Sequence, residues 1–578
     1  MTIIISILLL GTLTYFLFRS NSANTTAKGD LVFTNLTNGE DVNFATIAPN
    51  GDYFVYASIE GDKSRLKLQQ TGQPSARDVT DPFEGSLSGI SFTPDSQFIY
   101  FVNFENSVGT LYRIPTFGGA RTKILSDIAD MPSFSPDGGE MVFFRGNSEG
   151  SMIIVAASDG SHERKLLSLT KQDYAGVYGS AAWSPDGKTI AYGVLDLKRP
   201  HSGGCTIMGI DAITNETKPL SPEKWDTCYR MEWTSDSQGL VFIGTKADEA
   251  YSTRRDQVYF LSIPDGVARR LTTDGARHDY LSLGVTDKDE ILAVPFNRIS
   301  QIWAMETSGD SRSAVQITQG HADGRGGIAA LNDGRVAYLT RHGDGFSIWT
   351  MNSDGTDRKQ LLTDPPAIEE LRSPYDGSFF VFSGKQEGWS HLYRVDADGG
   401  DLRQLTFGES IEVDSTVSPD GKWVVYDSRT YTDGTSKTSL WKISSDGCVP
   451  EKLTDAQCIN PHFSPDAANI SCVSPDWKTI SIISVASGKI TRTFKTDERP
   501  ILNVGARWTP DGQALAYISS SNLVGNILLQ PINGEATRAL TDFKNGDIYN
   551  FAFSTDGKSI YLARGYQVKK AVLIKNFR

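Results

Sequence analysis

The chain has 578 residues and a formal net charge of −13, from 56 basic and 69 acidic residues. An acidic chain without a basic run argues against nucleic-acid binding, although an ordinary soluble surface explains the charge equally well. The length exceeds that of one ordinary domain, so we expect more than one.

The N-terminus begins with Thr2–Phe18, seventeen residues without a charge, followed by Arg19. This length is at the low end for a membrane helix and is long for the core of a signal peptide. We predict a membrane anchor at 1–19 and a linker at 20–29, with the rest of the chain outside the cytoplasm. Cleavage near Ser20–Ala23 and release into the periplasm is the alternative.

One short phrase then returns about every 46 residues, a period typical of stacked structural units. Ser or Thr, Pro, Asp and Gly form a tight turn between two antiparallel strands, with Gly in the left-handed position. Gly138, Gly187, Gly421, Gly512 and Gly557 should therefore have positive φ, and Ser96, Ser237 and Ala467 should be strained in the same place. The twelve copies begin at Ile47, Phe92, Phe134, Trp183, Trp233, Val285, Leu331, Ser373, Val417, Phe463, Trp508 and Phe553.

Between the turns lie a strand turning on Asp-Gly, as in Ser347–Asp357, and a strand with a Leu-Thr step, as in Glu451–Asp455. Each repeat therefore contains four strands in meander order, which is typical of a propeller blade. Twelve blades exceed one ring, since propellers usually have four to eight. We predict an all-β fold of two six-bladed β-propellers, at residues 30–310 and 311–578, that meet near Glu306–Gly320.

Ring closure should use the first and last strands. If each ring closes separately, Phe33–Asn38 completes the blade around Val285–Val294, and Val315–Thr318 completes the blade around Phe553–Leu562. In the alternative, interleaved scheme, Phe33–Asn38 pairs in the last blade. Either scheme removes exposed sheet edges.

The motifs that suggest chemistry have simpler explanations. Gly146–Gly150 matches the nucleophile-elbow pattern but lies between two strands, where it makes a hairpin loop. Asp396–Asp401 resembles the start of a calcium loop, yet Phe407 occupies the position that requires Glu. We therefore predict no enzyme activity, no cofactor and no metal site. Among the five cysteines, Cys205 and Cys228 either pair or remain buried thiols.

The turn phrase and the Leu-Thr strand together resemble the repeats of TolB and related WD40-like propellers over roughly Gly29–Arg578. Three segments, Leu111–Leu125, Trp508–Phe543 and Val572–Arg578, also resemble the extracytoplasmic propeller region of bacterial transmembrane serine/threonine kinases. The chain carries no kinase motif. The resemblance implies a non-enzymatic, membrane-anchored sensor or binding module; the alternatives are a TolB-like periplasmic scaffold and a regulatory propeller for a hydrolase or kinase on another chain.

A binding site is expected where the loops leading into the inner strands converge. A protein or a small polar ligand would suit the mixed charge there, whereas a satisfied salt-bridge network is the structural alternative. The equivalent loops of the second ring are less aromatic and carry Glu412, Asp414, Asp497 and Arg499. The predicted site residues of the first ring are Asp226, Arg230, Arg277, His278, Asp279 and Tyr280.

Overall fold

The computed structural model describes residues 31–37, 42–60, 63–105, 108–147, 150–170, 180–195, 204–247, 256–272, 279–342, 345–362, 367–368, 370–386, 389–432, 435–496, 504–521 and 524–578. The predicted anchor segment, Thr2–Phe18, lies outside these residues and stays a prediction. Within them, no helix has the length and apolar character needed to span a membrane.

The described chain is all-β, and its only regular helix is a 3-10 turn at Ser311–Ser313. Strands β1 to β12 are β1 (Val32–Asn35), β2 (Val42–Ile47), β3 (Tyr53–Glu60), β4 (Lys63–Gln70), β5 (Ala76–Asp78), β6 (Ser86–Phe92), β7 (Phe98–Glu105), β8 (Val108–Pro115), β9 (Thr122–Ser126), β10 (Ser133–Phe134), β11 (Glu140–Asn147) and β12 (Gly150–Ala157). Strands β13 to β24 are β13 (Arg164–Thr170), β14 (Ala182–Trp183), β15 (Thr189–Leu195), β16 (Cys205–Asp211), β17 (Thr217–Pro219), β18 (Trp225–Trp233), β19 (Gly239–Lys246), β20 (Gln257–Ser262), β21 (Ala268–Arg270), β22 (Asp279–Val285), β23 (Ile291–Glu306) and β24 (Val315–Gln316).

The second half of the chain continues the same pattern. Strands β25 to β36 are β25 (Ile328–Ala330), β26 (Arg335–His342), β27 (Gly345–Asn352), β28 (Lys359–Gln360), β29 (Ala367–Ile368), β30 (Phe379–Gln386), β31 (Trp389–Asp396), β32 (Arg403–Gln404), β33 (Ile411–Val417), β34 (Trp423–Thr432), β35 (Thr435–Ser444) and β36 (Glu451–Thr454). Strands β37 to β47 are β37 (Ile459–Phe463), β38 (Asn469–Val473), β39 (Thr479–Ser484), β40 (Ile490–Lys495), β41 (Arg507–Trp508), β42 (Ala514–Ser521), β43 (Val524–Pro531), β44 (Arg538–Ala539), β45 (Asp547–Phe553), β46 (Ser559–Lys569) and β47 (Val572–Lys575).

Eight of the sheets are four-stranded and antiparallel, consistent with propeller blades as the repeat predicted. Strands β14 to β21 form one eight-stranded sheet through the pair Cys205–Trp225, and β1, β22 to β24 and β45 to β47 form one seven-stranded sheet. We divide each of these two into four-stranded units, with β23 counted in both units of the seven-stranded sheet. We number the sheets by their first, inner strand. Sheets 1 to 5 are β2–β5, β6–β9, β10–β13, β14–β17 and β18–β21; sheet 6 is β22, β23, β47 and β1; sheets 7 to 11 are β25–β28, β29–β32, β33–β36, β37–β40 and β41–β44; and sheet 12 is β45, β46, β23 and β24.

Apolar side chains between consecutive sheets bury the core, because each sheet alone leaves both faces open to water. The packing also returns to its start: Tyr56 of sheet 1 shares a cluster with Leu292 and Leu573 of sheet 6. In the second half, Tyr338 of sheet 7 shares a cluster with Tyr561 of sheet 12. We call sheets 1–6 the first cycle and sheets 7–12 the second cycle.

Strand β23 belongs to both cycles. Its first residues pair with β22 and with β47, Ile291 lying opposite Ile574. From Phe296 to Glu306 it pairs with β46, and Trp303 also lies opposite Gln316 of β24. Strand β1 pairs with β47 in sheet 6, with Val32 opposite Lys575. Both closing strands lie in one seven-stranded sheet, β1 against β47 and β24 against β23, so the choice between separate and interleaved closure stays a prediction. The intervening strands β47 and β23 were not predicted. The domain boundaries stay a prediction.

The turn geometry that the repeat predicts is confirmed. Gly138, Gly187, Gly421, Gly512 and Gly557 have φ of 70°, 75°, 72°, 67° and 72°, while Ser96, Ser237 and Ala467 have φ of 58°, 59° and 58°. The Ser184 hydroxyl donates to Asp186 at 2.6 Å, and the Asp186 carboxylate accepts from the Lys188 amide at 3.1 Å.

One further turn of this type escaped the sequence count. Ser474–Lys478 connects β38 to β39 rather than an inner strand to its neighbour, and Trp477 has φ of 61°. Sheet 10 therefore has short second and third strands.

Two disulfides resolve the open question of the cysteines. Cys205 pairs with Cys228, with Cα atoms 6.0 Å apart, and links sheet 4 to sheet 5. Cys458 pairs with Cys472, with Cα atoms 5.7 Å apart, within sheet 10. Cys448 is a free thiol and is exposed. The alternative of buried thiols is therefore wrong for Cys205 and Cys228.

Replacing Gly187 with Val should lower the free energy of unfolding by about 1–2 kcal/mol, because a side chain disfavours φ near 75°. Space is not the cause, since an added Cβ would meet Pro136 at an ordinary 3.7 Å. The converse change, Ala467→Gly, removes a strained φ and should leave stability unchanged or raise it. Thermal unfolding midpoints of the full chain compare the three proteins. An unchanged midpoint for Gly187→Val would contradict the strain argument.

Candidate functional site

Arg230, one of the predicted site residues, is the centre of a buried contact inside the first cycle. It lies at a bulge in β18 with φ of 50°. Its Nη1 donates to Asp130 Oδ1 at 2.6 Å, its Nη2 donates to the Ser88 carbonyl, and its guanidinium lies 5.5 Å from the Phe44 ring centroid. The side chains of Arg230 and Asp130 are 7% and 4% exposed. Arg230 therefore connects sheet 5 to sheets 1, 2 and 3.

The pKa values around this pair follow from burial. Burial raises the pKa of Asp130, and the charge and hydrogen bond of Arg230 oppose that shift. Burial also raises the pKa of the neighbouring Glu232 to about 7, again against the charge of Arg230. In the first cycle, Arg230 thus lies close to two carboxyl groups, the paired Asp130 and the weakly acidic Glu232.

Of the other predicted residues of the first ring, Asp226 lies in β18, and Asp279 and Tyr280 lie in β22. The Asp256 amide donates to Asp279 Oδ1 at 3.2 Å, and the Tyr280 amide donates to the Asp256 carbonyl at 3.0 Å. The Tyr229 hydroxyl donates to Asp256 Oδ2 at 2.8 Å, and Asp226 is buried in β18. Arg277 and His278 lie outside the described residues. Ligand binding by this set stays a prediction, and its described members are mainly buried packing and pairing groups.

The equivalent residues of the second ring are also paired. His391 Nδ1 lies 2.7 Å from Glu412 Oε2, and both side chains are buried. Arg429 Nη2 donates to Asp414 Oδ2 at 2.6 Å. Asp497 and Arg499 lie outside the described residues.

A larger group of ionisable side chains occupies sheets 8 to 11. Of its members only Asp414 was predicted, because the sequence of one strand does not show which side chains of other sheets will lie beside it. The turn phrase does supply the register: the equivalent residues Arg372, His462 and Arg507 lie opposite Val381, Ser471 and Ala516 of the adjacent strand. The inner-strand cluster, as we call it, consists of Glu370, Arg372, Asp414, Asp427, Arg429, Asn460, His462 and Arg507.

The carboxylates of the inner-strand cluster are crowded on one side. Asp414 and Asp427 share Arg429, whose Nη2 lies 2.6 Å and 2.9 Å from their Oδ2 atoms. The Glu370 carboxylate accepts from the Ser415 amide at 3.2 Å and lies 3.7 Å from Arg372 Nη2. Burial raises the pKa of Glu370 and of Asp427 well above the usual range, and the neighbouring Asp414 raises both further.

His462 and Arg507 lie on the inner strands β37 and β41 of sheets 10 and 11. His462 Nε2 lies 2.8 Å from the Val504 carbonyl, to which it donates in the matching tautomer. Burial lowers the pKa of His462 well below its usual range, and the charges of Arg507 and Arg372 lower it further. His462 is therefore neutral at neutral pH. In the part of the chain that the structure describes, no group of three or more His, Cys, Asp or Glu side chains could hold a metal ion.

Comparisons with known proteins support the fold. Residues 349–479 match the dipeptidyl peptidase IV (DPP IV) N-terminal region. An uncharacterised protein of Agrobacterium fabrum is 25% identical over 184 residues, which cover 30% of this chain and 61% of that protein. A TolB homolog of Chlorobium luteolum is 25% identical over 144 residues, which cover 25% of this chain and 32% of that protein.

Among solved structures, the tricorn protease matches with 13% identity and a TM-score of 0.32, covering 93% of this chain and 61% of that chain. This chain therefore spans less than two thirds of each of these three proteins. Together with the four-stranded sheets, the sequence matches support a TolB-like β-propeller fold. The resemblance to kinase sensor regions stays a prediction.

Proposed function

We propose that this chain is a non-enzymatic binding protein of the cell envelope, built from two six-bladed propellers, that recognises its ligand at the inner-strand cluster. The first propeller corresponds to the first cycle and the second propeller to the second cycle. In support, the apolar clusters connect sheet 6 back to sheet 1 and sheet 12 back to sheet 7. The first propeller then comprises residues 30–310 together with β47, and the second comprises most of 311–578 with the end of β23.

The inner-strand cluster is the observation that carries the binding role. Burying charges costs free energy even when they are paired, so such a group is weak evidence for stability alone. Ionisable groups with strongly shifted pKa values are concentrated at functional sites. Glu370, Asp427, His462 and Arg507 all have such shifts. His462 and Arg507 lie on inner strands, Asp427 lies on β34, and Glu370 lies between β29 and β30.

An extracytoplasmic location is supported by the disulfides and by the TolB homolog. Disulfides persist in oxidising compartments and are rare in the cytosol. The match to a TolB homolog agrees with the periplasmic location that the resemblance to TolB implies. We keep the N-terminal anchor at 1–19 as part of this proposal, with signal cleavage as the alternative.

The location can be tested with the free thiol of Cys448, which is exposed. A membrane-impermeant maleimide added to intact spheroplasts should label the wild-type chain, and Cys448→Ser should abolish the labelling. The other four cysteines are held in disulfides and should not react. Labelling of Cys448 only after lysis would contradict an extracytoplasmic location.

The binding role can be tested by native mass spectrometry of the full chain purified from detergent-solubilised envelope. A discrete added mass that is lost in Asp414→Asn would support ligand binding at the inner-strand cluster. A stoichiometric protein partner that is insensitive to Asp414→Asn would favour the alternative of a TolB-like scaffold. A bare chain that converts an added substrate would contradict the proposal.

The match to the DPP IV N-terminal region favours one further candidate, a regulatory propeller for a hydrolase on another chain. The same purification distinguishes it, because the partner would then be a hydrolase whose activity changes on release.

A further inference from the structure

Strand β40 is the outer strand of sheet 10 and has a free edge. The strand order of this sheet is β37, β38, β39 and β40, so among the described residues β40 pairs only with β39. Every residue of β40 is exposed except Phe494, which is half-buried and packs against the apolar cluster that contains Ile480 and Leu515. One ladder and one aromatic ring therefore hold β40 in place, and its other edge is open to solvent.

The hydrogen-bonding pattern shows which backbone groups face this free edge. The Thr496 amide donates to the Lys478 carbonyl at 3.0 Å. The next pair in the same register is Lys495 opposite Thr479. In an antiparallel pair, every second residue exchanges such bonds with its neighbour. The intervening residues Lys495 and Thr493 therefore direct their N–H and C=O groups away from β39 and towards solvent.

The other outer strands are shorter or less exposed. Those of sheets 1, 4, 5, 7, 8, 11 and 12 have only two or three residues. Strand β13 has seven residues, but Leu166 is buried and Arg164 lies 3.6 Å from Glu140. Proteins commonly use short outer strands to avoid unwanted pairing. Among the described outer strands, β40 is the longest that is exposed along nearly its whole length.

The free edge of sheet 10 is also positively charged. Lys489, Arg492 and Lys495 are exposed, and the segment Ser487–Thr496 contains no Asp or Glu. None of the three cations forms an ion pair within the part of the chain that the structure describes. Arg492 Nη1 instead donates to the Ile532 carbonyl of sheet 11. The chain as a whole has a net charge of −13, so this edge is a local exception.

We propose that β40 is a docking strand that pairs with an extended, acidic segment of a protein partner. In this mode of recognition, a peptide adds a strand to an open sheet edge; backbone hydrogen bonds provide affinity and side chains provide specificity. Carboxylates of the segment would lie across from Lys489, Arg492 and Lys495, and opposite charges on facing strands stabilise a sheet. The same cations repel β40 of a second copy of this chain. The inference does not depend on ligand binding at the inner-strand cluster.

The test measures fluorescence anisotropy of short labelled peptides with the full chain at equal ionic strength. A peptide of alternating glutamate and valine should bind at least about tenfold more tightly than one of alternating glutamine and valine. The glutamate peptide with a central proline should bind more weakly, because proline cannot donate to the new ladder. Hydrogen exchange should show slower exchange of the Thr493 and Lys495 amides when the glutamate peptide is bound.

Thr493→Pro and Lys495→Glu are the test variants, and Lys123→Glu is the matched control. Proline is tolerated in an edge strand where its nitrogen faces solvent, so Thr493→Pro should keep the ladder to β39 and lose the peptide. Lys495→Glu should weaken binding at least about tenfold by reversing one charge, and it keeps the test valid if Thr493→Pro lowers the unfolding midpoint. Lys123 is exposed in the outer strand β9, so Lys123→Glu should bind as the wild type does.

Three outcomes would overturn the inference: no binding of the glutamate peptide, equal affinity for the glutamine peptide, or equal affinity in the wild type and Lys495→Glu. Binding without protection of β40 would place the peptide elsewhere and would overturn it as well. The cations would then serve only to keep the edges of separate molecules apart. None of these results alters the added mass expected at the inner-strand cluster, so the proposed function is tested separately.

Discussion

Changing Ile574 to Asp should open the first cycle. Ile574 lies in β47, is fully buried, and pairs across sheet 6 with Phe33 and Ile291. An unpaired charge at that position belongs to the small class of substitutions that cost about 4 kcal/mol or more. That is a large part of the roughly 5–15 kcal/mol by which a domain is stable.

Hydrogen exchange read strand by strand is the measurement. In Ile574→Asp, protection should fall in β1, β22 and the first residues of β23, and should persist in sheets 8 to 11. Ile490→Asp is the control, because Ile490 lies in an outer strand and is 48% exposed. Retained protection of β1 in Ile574→Asp would show that β47 does not hold sheet 6 together.

The second large effect is expected for Arg230→Met, which leaves Asp130 buried without its partner. Removing one member of a buried ion pair typically costs about 3–5 kcal/mol. The double variant Arg230→Met, Asp130→Leu should recover most of that loss, because no charge then remains to be buried. Arg312→Met, at an exposed pair with Asp310, should change stability by less than about 1 kcal/mol.

The pH dependence of Arg230→Met gives an independent check. Burial already raises the pKa of Asp130, and without Arg230 only the hydrogen bond from the Met131 amide opposes this shift. A carboxyl group with a raised pKa in the folded state favours folding when protonated, and that advantage is lost as the pH rises through the folded-state pKa. The variant should therefore be closer to wild type at acidic pH than at pH 8. Equal losses at both pH values would show that packing, not charge, is responsible.

The sequence predicted local features well and long-range features less well. The Ser-Pro-Asp-Gly turn depends on neighbouring residues, so positive φ at Gly187 and strain at Ala467 could be read directly. Strand partners far apart in the chain could not be predicted in this way. Val32 pairs with Lys575, and no local pattern in either segment indicates the other. The turn at Trp477 was missed because it follows so closely on the preceding copy.

In the candidate site too, local features were predictable from the sequence and long-range contacts were not. Arg230 was selected because it precedes a turn on an inner strand, but its partner Asp130 lies 100 residues away and only the packing of the sheets brings them together. His462 and Arg507 each look like ordinary strand residues. Only the register of the sheets shows that they occupy equivalent positions on the neighbouring inner strands β37 and β41.

The path of β23 makes the second cycle an insertion within sheet 6, between the strands β23 and β47. The chain leaves the first half along β23 and returns along β46, and these two strands are paired from Phe296–Lys569 to Glu306–Ser559. The two halves are therefore joined by a double ladder rather than by a single linker, and a protease cut in one connection leaves the other intact. During synthesis, sheet 6 cannot be completed before Val572–Lys575 has been made. The half of the protein that is synthesised first is therefore the last to complete its sheets.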